Sequence, residues 1–188
     1  MLLNALKVIY LAAALLLGLY GLQALVLSVL YWHHRRERVS PPAVSSWPTV
    51  TVQLPLYNEM YVAERVLRAV TRLRYPRQNL HIQVLDDSTD ETRRLLERAV
   101  ARCREAGFDI DLIRRPDRQG FKAGALQYAL PRAKGELIAV FDADFVPPAD
   151  FLLRTVPYFS SDPRLGFVQT RWSHLNAEYS SLTRAQAI

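Results

Sequence analysis

Apolar positions along this chain follow two different regimes. Positions 8–32 hold no charged residue, and Gln23 and Ser28 are their only strongly polar side chains. As a helix this stretch of about 25 residues spans roughly 37 Å, enough to cross a bilayer core of roughly 30 Å with tilt. From position 49 the pattern changes to short apolar runs alternating with amphipathic stretches. Positions 49–54 predict a strand stopped by Pro55. Positions 59–74 have helical spacing, with Val62, Val66, Ala69, Val70 and Leu73 on one side, and Tyr75-Pro76 ends them. Further strands are predicted over 81–85, 109–113, 136–141 and 165–170. The strand at 109–113 belongs at a sheet edge because its alternation is polar. Helices are predicted over 89–106, stopped near Gly107, over 120–130, closed by Pro131, over 147–159, opened by Pro147-Pro148, and from 178 onward. Strands alternating with helices imply an α/β fold with a mostly parallel sheet and right-handed crossovers.

Composition and charge divide the chain further. Positions 39–48 contain three prolines and three serines and read as a linker. The plan is therefore a transmembrane helix with a basic flank over 1–38, a linker over 39–48 and a globular part over 49–188. Tyr10, Tyr31 and Trp32 lie near the ends of the apolar stretch, as in aromatic belts. A cleaved signal peptide fits less well, because the stretch is too long and no small-x-small site follows. His33-His34-Arg35-Arg36-Glu37-Arg38 follows the helix, whereas only the amino terminus and Lys7 precede it. The positive-inside rule then places the chain after Arg38 in the cytoplasm. The net charge of +6 partly reflects this junction. Beyond it, arginines and acidic residues are interspersed, without the basic and aromatic stripe of a nucleic-acid-binding surface. The single cysteine, Cys103, excludes an internal disulfide and falls on the apolar side of a predicted helix, as a buried inert thiol would. The chain stops at Ile188 inside an amphipathic pattern, so the globular part is expected to be a truncated domain.

Chemistry-bearing clusters fall at the carboxyl ends of predicted strands, where open α/β sheets place their ligands. The run ending in Phe141-Asp142-Ala143-Asp144 sets two carboxylates one residue apart. They repel unless a cation lies between them, and a hard ion such as Mg²⁺ or Mn²⁺ suits oxygen ligands shared with substrate phosphates. Pro55-Leu56-Tyr57-Asn58-Glu59 follows the first strand. Asn58 is explained by capping, whereas an exposed Tyr57 ring suits a base or sugar. In Asp86-Asp87-Ser88-Thr89-Asp90-Glu91 the last four residues suit a helix start, leaving Asp87 to accept hydrogen bonds from a ligand such as a uracil or guanine ring. Arg118-Gln119-Gly120-Phe121-Lys122-Ala123-Gly124 lets a ligand approach backbone amides at a helix start, with Lys122 as a point charge. It lacks P-loop spacing. Together these clusters suit a nucleoside diphosphate with a divalent ion.

Pro-Leu-Tyr-Asn-Glu (55–59), Val-Leu-Asp-Asp-Ser-Thr-Asp-Glu-Thr (84–92), Gly-Phe-Lys-Ala-Gly-Ala-Leu (120–126), Phe-Asp-Ala-Asp-Phe-Val-Pro (141–147) and Val-Gln-Thr-Arg-Trp (168–172) occur in order. The chain thereby resembles family 2 glycosyltransferases, and among them membrane-bound processive synthases of the cellulose-synthase-like and glucomannan-synthase type. The resemblance implies a GT-A fold with a Rossmann-like nucleotide-binding half. It also implies inverting transfer of a hexose from a UDP- or GDP-sugar to a polysaccharide acceptor, with Mg²⁺ or Mn²⁺. Carried over by position, Pro55, Tyr57 and Glu59 line the nucleoside pocket, Asp87 contacts the base, and Lys122 contacts the nucleotide or diphosphate. Asp142 and Asp144 match the Asp-x-Asp motif on diphosphate and metal. Gln169 and Trp172 approach the sugar or acceptor. Asp87 and Asp144 stand as the catalytic aspartates of this portion. A cytoplasmic domain on an inner, plasma or Golgi-type membrane agrees with cytosolic sugar nucleotides. The family's Thr-Glu-Asp and Gln-x-x-Arg-Trp motifs and later transmembrane helices are absent, so a general base is expected beyond Ile188. The competing readings are a catalytically inactive sugar-nucleotide-binding fragment, a nucleotidyltransferase and a membrane adaptor. A nucleotidyltransferase would need a glycine- and arginine-rich signature where 55–59 stands.

Overall fold

The computed structural model describes residues 2–34, 40–171 and 173–186. It separates into two compact units, 1–40 and 41–188. The first unit is a single helix, α1 (Leu2–His34), apolar on all sides and exposed along its length. By length and composition it is a helix able to cross a membrane. The basic cluster at 35–38 lies outside the described residues.

The second unit is built on a four-stranded sheet in the order β3-β2-β1-β4, with every pairing parallel. The strands are β1 (Val50–Leu56), β2 (Leu80–Asp86), β3 (Asp109–Ile113) and β4 (Leu137–Val140). Helices α2 (Ala63–Thr71) and α3 (Thr92–Glu105) connect the first three strands, and α4 (Phe121–Ala129) precedes β4. The chain steps outward from β1 to β3, then returns to the other side of β1 for β4. Beside the carboxyl end of β1 it thus creates the reversal of strand order at which such sheets bind ligands.

Alternation decides which helix covers which face. Val50, Val52, Leu54, Ile82, Val84 and Ile110 form one face, and they join Val66, Val70, Leu96 and Val100 of α2 and α3 in the main core. The intervening positions, Thr51, Gln53, His81 and Gln83, are equally buried but polar. They satisfy one another across the sheet: Gln53 Nε2 donates to Gln83 Oε1 at 2.9 Å, and Gln83 Nε2 to the Ala129 carbonyl at 3.4 Å. Thr51 Oγ1 accepts the Lys134 and Gly135 amides at 3.1 and 2.8 Å and lies 3.2 Å from His81 Nδ1. Its hydroxyl proton therefore goes to the imidazole, whose Nε2–H reaches Asp111 at 3.1 Å. Leu85, Ala125 and Ala129 form a smaller apolar contact under α4.

The predicted edge position of 109–113 holds, since β3 ends the sheet. Other expectations change. β1 runs through Pro55 instead of stopping before it. The Gln53 carbonyl faces β4, accepting from the Phe141 amide at 3.2 Å, and the Leu56 carbonyl faces the β2 side, accepting from the Asp87 amide at 3.0 Å. Pro55 therefore turns its missing N–H toward β4, whose pairing with β1 has already ended at Val140. The helix predicted over 147–159 is two short helices, α5 (Phe151–Thr155) and α6 (Pro157–Ser161), because Pro157 cannot continue the ladder of α5. The helix predicted from 178 is confined to α7 (Ser181–Gln186). Positions 165–170 form no strand. Their backbone finds no sheet neighbour, and the Leu165 amide turns back to the Asp162 carbonyl at 3.1 Å.

Candidate active site

The loops at the carboxyl ends of β1, β2, β3 and β4 carry the charged residues. The turn after β1 is fixed by Asn58, which takes a left-handed φ of 54° tolerated by that side chain. Its amide donates to Ser88 Oγ at 3.0 Å and its Oδ1 accepts the Thr89 amide at 2.9 Å. The loops after β1 and β2 are thereby latched together. The Glu59 carbonyl accepts the Val62 and Ala63 amides at 3.1 and 2.9 Å, so its backbone opens the turn into α2 while its side chain is exposed.

Two arginines after β3 hold Asp86, the last residue of β2, and Asp87, which follows it. Asp86 is fully buried. It accepts the Ser88 amide at 3.0 Å and Arg114 Nε at 2.8 Å. Arg114 also donates to Glu97 at 2.5 Å and to the Arg93 carbonyl at 3.0 Å. Burial alone would lower the Arg114 pKa, but its bonds to Glu97 and Asp86 outweigh that and raise it. The same bond holds the Glu97 carboxyl below the usual range. Asp87 receives a two-pronged grip from Arg115, Nε at 2.8 Å and Nη2 at 2.6 Å, with both side chains over nine-tenths buried. Its hydrogen bond to Asp87 pushes the Arg115 pKa above the usual value. Asp87, expected to be left for a ligand, is therefore already bonded in the structure: each of its two oxygens accepts one hydrogen bond from the Arg115 guanidinium, and each keeps a second lone pair.

Arg115 further donates to the Gln119 carbonyl at 2.5 Å and the Phe121 carbonyl at 2.7 Å. It ties the β2 end to the start of α4. Gly120 and Phe121 turn there with φ of 72° and 49°. A Cβ on Gly124 would collide with the Gln119 carbonyl oxygen and lie 2.6 Å from Arg115 Nη1, so only glycine admits this close approach. The turn projects Lys122, which forms an ion pair with Asp142 across the crevice. Asp144 is exposed, and its backbone carbonyl accepts Arg65 Nη2 at 3.3 Å. Tyr57 packs its ring face against Arg118, whose Cζ stands 3.4 Å from the ring centroid.

The structure therefore gathers Tyr57, Asp87, Lys122, Asp142 and Asp144 at one end of the sheet, with Pro55 leading into the same turn. Gln169 is exposed in a coil, and among the described residues no hydrogen bond joins it to the others. Trp172 lies outside the described residues. Among the described residues no group of three or more His, Cys, Asp or Glu side chains forms a metal cage. Arg114, Arg115 and Arg118 were not singled out as site residues by the sequence; only Arg118's place beside the glycine turn hints at one of them. Cys103 lines a groove of about 300 Å³ between α2 and α3, formed by helix residues and Phe108 and by none of the strand-end cluster, and burial pushes its thiol up.

Residues 51–184 match the Glycosyl transferase family 2 model. The chain is 44% identical over 146 residues to probable glucomannan 4-beta-mannosyltransferase 6 of Oryza sativa subsp. japonica, covering 76% of this chain and 25% of that protein. It is 41% identical over 146 residues to glucomannan 4-beta-mannosyltransferase 9 of Arabidopsis thaliana, with 76% and 27% covered. The chain thus spans about a quarter of the length of the curated relatives it matches. Among solved structures it superposes on the mannosyltransferase PcManGT from Pyrobaculum calidifontis, in complex with GDP-Man and Mn²⁺, with a TM-score of 0.59 and 34% identity. That match covers 73% of this chain and 41% of that one. S. aureus TarS 1-349 in complex with UDP-GlcNAc, at 20% identity and a TM-score of 0.52 over 60% of this chain and 31% of that one, shares the fold. A parallel sheet with its charged loops at the strand reversal and a family match over 51–184 agree, and the chain belongs to glycosyltransferase family 2.

Proposed function

We propose that this chain is the donor-binding part of a membrane-anchored hexosyltransferase that extends a polysaccharide, and that its donor is GDP-mannose. The observation that carries this reading is the Lys122–Asp142 pair at the strand reversal, with Asp144 exposed beside it. A cation and two carboxylates at this place suit a diphosphate and a divalent ion. The names of the plant relatives and the GDP-Man in the archaeal structure support mannose and guanine over other donors.

The donor set fits Mg²⁺ or Mn²⁺. Two hard carboxylates one residue apart make part of a coordination sphere, which such ions complete with substrate phosphate oxygens and water. Asp142 and Asp144 would hold the ion, which supplies positive charge for the departing diphosphate. Lys122 then shifts its ammonium from Asp142 to a phosphate oxygen. Asp87, oriented by Arg115, faces the base with the lone pairs that the guanidinium leaves open. Pro55, Tyr57 and Glu59 shape the nucleoside side, and Gln169 and Trp172 the sugar side. In the inverting reaction the acceptor hydroxyl oxygen bonds to the anomeric carbon as the bond to the diphosphate oxygen breaks on the opposite face. The hydroxyl proton passes to a general base. The motif that supplies that base in the family, Thr-Glu-Asp, does not occur in these residues. The 188 residues by themselves are therefore expected to bind donor without transferring sugar.

The test is calorimetric titration of GDP-mannose and UDP-glucose into the full chain in detergent, with and without Mn²⁺. GDP-mannose is expected to bind only with the ion, and Asp142→Asn or Asp144→Asn to weaken it at least about tenfold, near the value of one charged contact. Metal-independent binding, or binding unaltered in both variants, rejects the site. Preferred binding of UDP-glucose rejects the donor, and sugar transfer by these residues alone rejects the assignment of the base to another segment.

A further inference from the structure

Resting on the donor-binding reading above, we propose that Arg118 is a phosphate-binding residue that clamps the donor diphosphate from the side of the crevice opposite the two aspartates. Arg118 differs from the two arginines that precede it, which are committed to carboxylates, and from Lys122, which rests on a carboxylate until donor binds. Arg114 is held by Asp86 and Glu97, Arg115 by Asp87, and Lys122 by Asp142. Among the described residues no carboxylate pairs with Arg118. Asp117, next to it in sequence, turns its carboxylate to the Gln119 amide at 3.0 Å.

Arg118 is nevertheless not a loose surface side chain. Its guanidinium lies over the Tyr57 ring at 3.4 Å, and the Phe121 ring flanks it at 5.0 Å. Its carbonyl is fixed as well, accepting the Phe121 amide at 3.1 Å. Aromatic rings hold the faces of a guanidinium and leave its in-plane N–H donors open. A planar fork presented by its edge matches the oxygens of a diphosphate, and restricting the side chain in advance reduces the entropy lost on binding. Arg118 stands four residues before Lys122, on the loop that turns into α4, so both cations reach one anion from one loop.

The experiment titrates UDP, GDP and inorganic diphosphate, each with Mn²⁺, into the full chain and its Arg118→Ala and Arg118→Lys variants in detergent. Arg118 is exposed, and circular dichroism checks that each variant keeps its fold. The alanine variant is expected to bind all three probes at least about tenfold more weakly, the value of one charge-assisted contact, and by a similar factor for each. The lysine variant is expected to recover only part of the loss. Unchanged binding overturns the proposal. So does tighter binding, which would make Arg118 a plug over Tyr57. A loss confined to the nucleotides, sparing inorganic diphosphate, overturns it in favour of a contact to base or ribose. A folded wild-type chain that binds none of the probes refutes the donor-binding reading, and this inference falls with it.

Discussion

Tyr75 shows how much one side chain decides where the linker meets the sheet. Its hydroxyl donates to the Pro48 carbonyl at 2.7 Å, and its ring meets Trp47 edge-on at 5.5 Å. The Asn79 side chain secures the same stretch by donating to the Trp47 carbonyl. Burial, with the Glu136 charge adding to it, raises the Tyr75 pKa from 10.0 to about 12. Because the folded value lies above the unfolded one, folding favours the neutral phenol. Its contribution is complete below pH 10 and disappears as pH rises from there toward 12. Tyr75→Phe should therefore cost about 1 kcal/mol at pH 7, the net value of one hydrogen bond, and progressively less above pH 10. Urea denaturation of both proteins across that range measures the difference, and a gap that persists at high pH counts against the bond. The site follows the same residue-level logic with a different outcome for legibility. Asp142-Ala143-Asp144 and Lys122 announce themselves by type and spacing. Arg114 and Arg115 look like interspersed surface charge, because their partners Asp86 and Asp87 lie 28 residues away and become neighbours only when β2 and β3 pair.

At the scale of elements, the sheet explains both what the pattern revealed and what it concealed. β4 is visible as an apolar run, and β2 and β3 as apolar–polar alternation, because at least one face of each meets a core. Pro55 reads as the end of β1 in sequence, but a strand's tolerance for proline depends on which neighbour its N–H would face, and that requires the strand order. Positions 165–170 have strand composition and no strand beside them, so propensity goes unused. The polar residues on the second face of β1 and β2 are the harder case. Gln53 and Gln83 are polar, yet both are buried and answer each other. Removing one side of such a pair leaves a buried amide unsatisfied, whereas removing both does not. Gln53→Leu is expected to destabilise the chain by about 1–3 kcal/mol, and Gln53→Leu with Gln83→Leu by less than the sum of the two single changes. Thermal or urea unfolding of the three variants gives the cycle. Additive losses would mean that the two amides act independently and that their bond contributes nothing.

The whole molecule joins two units with different solvents in view. Residues 41–188 carry a packed core of their own, with Val52, Leu54, Ile82 and Leu96 fully buried. α1 instead presents leucine, tyrosine and valine outward on every side, which water tolerates poorly and a lipid core accepts. Its length exceeds the hydrocarbon thickness, so spanning requires tilt. By the positive-inside rule, the charges from His33 to Arg38 in the sequence predict a cytoplasmic globular unit. Separate cores predict separable behaviour. A chain starting at Pro41 should keep the cooperative unfolding transition of the globular unit and bind the proposed donor as the full chain does, while the full chain alone stays with membranes after alkaline carbonate washing. In sealed inside-out vesicles the globular unit of the full chain should be cut by added protease, and in right-side-out vesicles it should be protected. Loss of folding on removal of α1 would show that the globular unit needs the helix and would overturn this prediction. Protection in the inside-out vesicles, with cleavage in the right-side-out ones, would reverse the predicted orientation.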